Sequence, residues 1–356
     1  MINVTKTFLP PYKEYQAYLK QAWDRAWLTN NGLLVQELEQ KLKDYLGVKH
    51  LFFCSNGTIA IQIAIKALGL TKEIITTPFS YVATTTSILW ENCTPIFVDI
   101  NETDFNIDVD KIEAAITPNT QAILAVHVYG NPCNVQKIEA IAKKHNLKVI
   151  YDGAHCFGAT YKEEHILKFG DISTCSFHAT KIFHTVEGGA IITNNDDLAQ
   201  TIFNYRSFGH LGDDYFSIGI NGKNSEFHAA MGLANLPYLP NIIQQRKLIT
   251  EQYDALLKGT NLTFPQPLAG TTTNYAYYPV VFKTEEDLLK IRQVLLENNI
   301  TTRRYFYPSL NKLPYHIGAD CEVSEDISKR VLSLPLYAEL PLVDVENICK
   351  IIILAN

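Results

Sequence analysis

The sequence lacks most of the features that announce a function by themselves. No stretch approaches the roughly 20 apolar residues that a membrane-spanning helix needs. The opening MINVTKTFLPPYKEY has no apolar signal-peptide core, so a cytoplasmic protein is expected. The seven cysteines (Cys54, Cys93, Cys133, Cys156, Cys175, Cys321 and Cys349) are odd in number and never spaced C-x-x-C. They read as buried thiols in a reducing compartment, with no zinc site and no other metal site expected. Charge is balanced: 31 Lys and Arg against 37 Asp and Glu give a net charge of −6, without long runs of one sign. That argues against nucleic acid or an anionic membrane surface as a partner. There is no G-x-G-x-x-G after a strand, no G-x-x-x-x-G-K-[ST], no H-E-x-x-H and no G-x-S-x-G. Dinucleotide, P-loop, zincin and hydrolase-elbow readings therefore lose their usual support.

What is present is a long alternation of helix and strand. With 356 residues, 47% of them hydrophobic, the chain is an ordinary globular protein with room for about two domains. Residues 35–46 carry apolar positions at helical spacing, ended by Gly47. Strands are expected at 51–53, 73–77, 95–98, 122–126 and 147–151. Helices are expected at 58–68, 82–90, 107–116 and 135–145. This alternation predicts an α/β fold: a mostly parallel sheet with helices on both faces. Strands at 172–177 and 189–193 follow. A boundary is placed near Pro237 and Pro240, giving a large domain over 1–240 and a smaller C-terminal α+β domain over 241–356. In the latter, helices are expected at 241–258, 285–298, 326–332 and 345–354, with strands at 275–282 and 300–304. Thr284, with Asp287 three residues on, suits the N-cap of the helix at 285.

Four local features carry chemistry. Ser55-Asn56-Gly57-Thr58 lies between a strand and a helix, where backbone N–H groups suit a phosphate. It also fits an ordinary strand–turn–helix junction. Asp152 directly follows an apolar strand, at the sheet edge where open α/β folds bind ligands. A carboxylate there can pair with a protonated ring nitrogen, or simply cap the next turn. Lys181 closes Ser176-Phe177-His178-Ala179-Thr180-Lys181, again just past a strand. A lysine desolvated in such a place loses its charge more readily and can form a Schiff base. Tyr81, in Pro78-Phe79-Ser80-Tyr81, is an aromatic at a strand end, able to stack on a flat ring or to fill core. Taken in order, these are a phosphate cradle, a stacking ring, a ring-nitrogen carboxylate and a Schiff-base lysine.

With these blocks in place, the chain resembles the DegT/DnrJ/EryC1/StrS family of pyridoxal-phosphate (PLP) sugar aminotransferases, which have the aspartate-aminotransferase-like (type I) fold. The resemblance runs from W-L-T-N-N-G (27–32) through S-N-G-T, P-F-S-Y-V-A-T, H-V-Y-G-N-P, D-G-A-H and S-F-H-A-T-K to T-R-R-Y-F-Y-P and L-P-L-Y. It implies that Lys181 carries the cofactor as a Schiff base and moves protons, and that Asp152 pairs with the pyridine nitrogen. It implies that His155 lies near the ring's phenolic oxygen and that Tyr81 stacks on the ring. Gly57, Thr58 and Ser176 fall on phosphate contacts. Lys223 falls where relatives have Asn or Arg reaching the phosphate of a partner subunit, which implies a homodimer with a shared site.

The implied reaction is ping-pong transfer from glutamate to a nucleotide-linked ketosugar, with pyridoxamine phosphate as the amino-carrying form of the cofactor. The blocks are most similar to members that convert dTDP-4-keto-6-deoxyglucose to dTDP-4-amino-4,6-dideoxyglucose for O-antigen-type surface polysaccharide. Three alternatives stay open at this point. One is amination at C3, or of a UDP-linked sugar. Another is a PLP dehydratase or racemase, although family dehydratases have histidine where this chain has Lys181. The third is a cofactor-binding regulator without catalysis. Arg303, Arg304, Tyr305 and Tyr307 form a block that could meet the substrate.

Overall fold

The structure is a computed structural model that describes residues 1–315 and 318–355. Its centre is a seven-stranded sheet: β1 (His50–Cys54), β2 (Glu73–Thr76), β3 (Thr94–Phe97), β4 (Thr120–Val126), β5 (Lys148–Asp152), β6 (Ile172–Ser176) and β7 (Gly189–Thr193). The order across the sheet is β1-β7-β6-β5-β4-β2-β3. All pairings are parallel except those of β7, which runs against both β1 and β6. The carboxyl ends of β1, β2, β4, β5 and β6 therefore share one edge, and β7 begins at that edge.

Both faces of the sheet are buried, as near-continuous apolar strands require. Successive side chains of β5 take opposite sides. Val149 and Tyr151 join one apolar cluster with Leu34, Leu38 and Leu42, whereas Ile150 joins another with Ile61, Ile65 and Ile191. The first cluster is covered by α1 (Tyr12–Arg25), α2 (Leu33–Leu46), α5 (Val135–His145) and α7 (Glu226–Asn235). The second is covered by α3 (Gly57–Ala67), α4 (Ala83–Trp90) and α6 (Asp196–Arg206). A separate cluster lies around β8 (Tyr278–Val281) and β9 (Val331–Leu334), with α8 (Leu239–Leu257), α9 (Glu285–Glu297) and α11 (Leu342–Ala355) packed on it. The long α8 links the two regions: Ile242 belongs to the first cluster, and Ile249, Tyr253 and Leu257 to the third.

Helix ends follow the residue chemistry. Gly47 closes α2 in the left-handed region, at φ 63°. Thr284 caps α9 by accepting from the Asp287 N–H, and its own hydroxyl donates to the Asp287 carboxylate. The start of α2 is capped from far away. Glu226, fully buried, accepts from Leu34 N at 3.0 Å and from Val35 N at 2.9 Å. Gly32 is what permits this approach, because a Cβ there would lie 2.5 Å from the Glu226 carboxyl carbon.

Several local expectations need correction. The strand expected at 300–304 is only a pair of isolated bridges, Ile2 to Ile300 and Arg303 to Ser333. The helix expected at 326–332 runs instead over α10 (Glu322–Arg330), and the chain then turns directly into β9. Val331, Leu332 and Leu334 are buried against β8 and its helices, so tertiary burial overrides the helical run before them. The strand expected at 275–282 starts only at Tyr278, because Tyr275 sits at φ 55°. The stretch 107–116 holds one α-turn at Val109–Ile112 and a 3₁₀ turn at Glu113–Ala115. Among the described residues, no helix is long and apolar enough to cross a membrane.

Candidate active site

The sheet edge where the parallel strands end opens into a cavity of about 390 Å³. Gly57 and Thr58, Tyr81, Asp152, His155, Ser176 and Lys181 all line it. Lys223 does not. Its ammonium lies over the Phe208 ring, 4.7 Å from the centroid, on the loop before α7.

One end of the cavity is built by backbone. Asn56 caps α3 by accepting from Ile59 N at 2.9 Å. The N–H groups of Gly57 and Thr58, at the first two helical positions, have no intrahelical acceptor and carry the positive end of the helix dipole. The turn is held close to the neighbouring strands. Gly189 pairs with both Cys54 and Ser176, and a Cβ on it would lie 2.5 Å from the Asn56 carbonyl carbon. A Cβ on Gly57 would lie 3.1 Å from that of Ser176. Small residues thus bring Gly57, Thr58 and the Ser176 hydroxyl together around one concavity.

The carboxylate end lies on β5. Asp152 is buried, with 6% of its surface exposed. Burial pushes its carboxyl up from the usual range, opposed by hydrogen bonds from Thr84 and Ala154 and by the Lys181 charge. Thr84 Oγ1 donates to Oδ2 at 2.8 Å, and Ala154 N donates to Oδ1 at 3.0 Å. Ser80 Oγ lies 2.8 Å from Thr84 Oγ1, so the strand end of β2 also supports the carboxylate.

His155 stacks on Phe306, with centroids 5.6 Å apart and planes 9° apart. Burial, and then the Lys181 charge, hold its imidazole well below the usual histidine range, so the ring is neutral. Its Nδ1 is buried without a hydrogen-bond partner. Tyr81 is 54% exposed at the cavity mouth, leaving a ring face free to cover a ligand. Lys181 follows a turn in which its N–H donates to His178 O at 2.9 Å, and its Nζ meets Tyr277 Oη at 3.4 Å.

These features fit pyridoxal phosphate. The paired free N–H groups and the Ser176 hydroxyl suit its phosphate. The buried Asp152 carboxylate suits a protonated pyridine nitrogen. The unpartnered Nδ1 of His155 suits a polar ring substituent, and Lys181 suits the aldehyde.

Sequence reasoning did not find Thr84, Tyr277 or Phe306. Thr84 sat inside the P-F-S-Y-V-A-T block, but nothing in one sequence says which hydroxyl of that run faces a strand two positions away in the sheet. Of the block noted at 303–307, Arg303, Tyr305 and Phe306 line the cavity. Arg304 turns away to Glu285, at 2.6 Å.

Comparison with known proteins identifies the family. Residues 12–353 match the DegT/DnrJ/EryC1/StrS aminotransferase family. The chain is 41% identical to a dTDP-4-amino-4,6-dideoxy-D-glucose transaminase of Shigella dysenteriae, covering 95% of each protein. It is 40% identical to the enzyme of that name from Escherichia coli, covering 99% of this chain and 98% of that one. The structure superposes with a TM-score of 0.94 on DesI, solved in the presence of its TDP-sugar product, at 31% identity, covering 99% of this chain and 93% of DesI. It superposes with a TM-score of 0.93 on the Helicobacter pylori aminotransferase PseC, at 29% identity, covering 99% of this chain and 98% of that one. The fold, the cavity and these likenesses together place the chain in the DegT/DnrJ/EryC1/StrS aminotransferase family, as a pyridoxal-phosphate-dependent aminotransferase.

Proposed function

We propose that the enzyme moves the amino group of glutamate to the 4-keto carbon of dTDP-4-keto-6-deoxyglucose, forming dTDP-4-amino-4,6-dideoxyglucose and 2-oxoglutarate. The observation that carries this reading is the near-full-length likeness to two transaminases named for that product, at 41% and 40% identity. The product suits O-antigen-type surface polysaccharide, and the reading places the enzyme in the cytoplasm.

Bound pyridoxal phosphate supplies an electron sink and a carrier for the amino group. The chain's residues do the rest. Gly57 N–H, Thr58 and Ser176 hold the phosphate. Tyr81 covers one face of the ring, and His155 meets its phenolic oxygen. Asp152 keeps the ring nitrogen protonated through a carboxylate that Thr84 and Ala154 hold in place. Lys181 anchors the cofactor. Once the amino donor has displaced it, the freed Lys181 amine would move the α-carbon proton of glutamate to the cofactor carbon that carries the amino group, and in the second half-reaction would move a proton from that carbon to C4 of the sugar.

Lys223 serves the phosphate of a partner subunit in a homodimer, which is consistent with its absence from the cavity of its own chain. The segment before it exposes Leu211, Tyr215, Phe216 and Ile218, the last at 93%, an apolar surface suited to burial against a second copy. A fully active monomer in light scattering would remove that role.

The test of the reaction is direct. The purified protein is incubated with the cofactor, glutamate and a panel of dTDP- and UDP-linked ketosugars. Release of 2-oxoglutarate and an amine at C4 of the dTDP-linked 6-deoxyhexose, by mass and NMR, is the expected result. Amination at C3, preference for a UDP-linked sugar, or no consumption of glutamate would overturn it.

A further inference from the structure

Among the described residues, the hydrogen-bond partner of the Lys181 amine is a tyrosine from the far side of the cavity. Lys181 Nζ lies 3.4 Å from Tyr277 Oη, across 96 positions of sequence. Tyr277 immediately precedes β8, outside the seven-stranded sheet that carries Asp152 and Ser176. The two sides of the cavity therefore meet at this contact.

The segment that presents Tyr277 is held with unusual effort. Asn274 is fully buried; its Nδ2 donates to the carbonyls of His155 at 2.8 Å and Phe157 at 3.0 Å, and its Oδ1 accepts from Ala276 N. Tyr275 is in the left-handed region, at φ 55°. Such a conformation in a bulky residue persists only where the surroundings over-determine it. Arg246 of α8 supplies that constraint. Its Nε donates to Tyr275 O at 2.8 Å and its Nη2 to Ala276 O at 2.6 Å. Arg246 is 6% exposed and has no carboxylate partner among the described residues. Burial pushes it down to about 10. A buried cation without a counter-ion is costly, and here it is spent on two backbone carbonyls beside Tyr277.

The ring is fixed as well. Tyr277 meets His155 edge-on at 4.9 Å and Tyr305 at 5.5 Å, and packs on Tyr129 at 5.7 Å. With backbone and ring both pinned, the hydroxyl has one place to be, against Lys181.

We propose that Tyr277 is a positioning residue for proton transfer by Lys181. This rests on the role of Lys181 given above. When the amine is protonated, Tyr277 Oη accepts one of its N–H bonds; when it is neutral, the same contact keeps the free amine aimed across the cavity. An amine on a four-carbon stem is otherwise free to swing, and misplacement of a proton-transfer group costs rate steeply. The titratable and charged groups lining the cavity with Lys181 are Tyr81, Asp152, His155 and Cys175 on the sheet side, His178 and Glu187 in its own loop, and Tyr277, Arg303 and Tyr305 opposite. Tyr277→Phe changes none of these except Tyr277 and keeps the ring packing.

Two readouts test this. In the cofactor-free protein, trace acylation of Lys181, read by peptide mass spectrometry across a pH series, reports the pH at which the amine becomes free. Loss of the acceptor disfavours the ammonium form, so in Tyr277→Phe that midpoint moves to lower pH. In the loaded enzyme, the same variant loses about 10- to 100-fold in kcat with KM for glutamate little changed. The acid limb of its pH profile moves in the same direction. α-Deuterated glutamate shows a larger isotope effect than in the unsubstituted enzyme.

Arg246→Gln, which loosens the clamp and leaves the hydroxyl, is expected to reproduce the loss in kcat more weakly. Unshifted labelling, or an unshifted acid limb with kcat intact, in a Tyr277→Phe protein that binds cofactor normally would overturn the proposal. An unsubstituted protein that fails to consume glutamate would instead overturn the reaction proposed above, and the labelling result would still stand on its own.

Discussion

Thr84 donates its hydroxyl to the Asp152 carboxylate across 2.8 Å, reaching from α4 to the end of β5. A buried carboxylate resists ionisation, and each donor that meets it restores part of the lost solvation. Thr84→Val removes one charge-assisted bond, worth about 1.5–3 kcal/mol, and keeps the side-chain shape. The expected result is a fall in kcat of about tenfold, with activity lost at higher pH on the acid side, because Asp152 then protonates more easily. Asp152→Asn, which keeps the shape and removes the charge, should cost more, about a hundredfold or greater. Steady-state rates across pH check both. Equal rates in all three proteins would show that Asp152 does not act on the ring nitrogen.

The turn proposed to hold the phosphate depends on the absence of a side chain at Gly189. In Gly189→Ala the new Cβ meets the Asn56 carbonyl carbon at 2.5 Å, and backbone must move. The Asn56–Thr58 turn shifts away from Ser176, and cofactor affinity falls by about tenfold or more, since each well-placed hydrogen bond to a charged group is worth about 1.5–3 kcal/mol. Absorbance titration of the cofactor-free protein measures it. Unchanged affinity would place the phosphate elsewhere.

A stability prediction concerns Glu226. Its carboxylate accepts the N–H groups of Leu34 and Val35 at the start of α2. Glu226→Ala leaves both donors buried and unpaired, at a cost of at least about 2 kcal/mol. A lower urea midpoint with an unchanged slope is expected. The helix that carries Leu38 and Leu42 into the core is the element most exposed to that loss.

The pH dependence of stability follows from buried histidines. His127 is fully buried, stacked on Tyr151 at 4.6 Å, and burial lowers it to about 3. In the unfolded chain it titrates near pH 6.5. Above that pH both states are neutral and His127 adds no pH dependence. As pH falls from 6.5 towards 3, the unfolded state takes up the proton first, and stability falls by up to about 1.4 kcal/mol per pH unit. His155 and His184 are lowered by burial in the same sense. Urea unfolding at pH 6.5 and pH 5 should show a clear loss. In His127→Gln the loss should be smaller by up to about 2 kcal/mol. An equal loss in both proteins would mean that His127 does not contribute.

Much of the sheet was legible because its strands are short apolar runs bounded by polar turns. Val149, Ile150 and Tyr151 needed only that pattern, and Asp152 stood out as the polar residue at their end. The same logic found Lys181 and the Asn56-Gly57 turn. What failed was local pattern without local cause. Val331–Leu334 follows a helix without a breaker, and only pairing with Tyr278–Val281 makes it a strand. The helices at 12–25, 196–206 and 226–235 were passed over, the last because its face is set by packing against α1 and α2. Thr84 and Tyr277 were invisible for a related reason. Each matters through one contact to a residue far along the chain, and no spacing rule encodes that.

Every step of the proposed reaction passes through Lys181, the residue proposed to carry the cofactor. The most direct test of that role is reduction of the cofactor-loaded protein with borohydride, followed by peptide mass mapping. The result expected is a stable pyridoxyl-phosphate adduct on the peptide bearing Lys181, and none in Lys181→Ala or Lys181→Arg, both of which lose turnover. An adduct on another lysine, or Lys181→Ala turning over at the unsubstituted rate, would contradict the assignment.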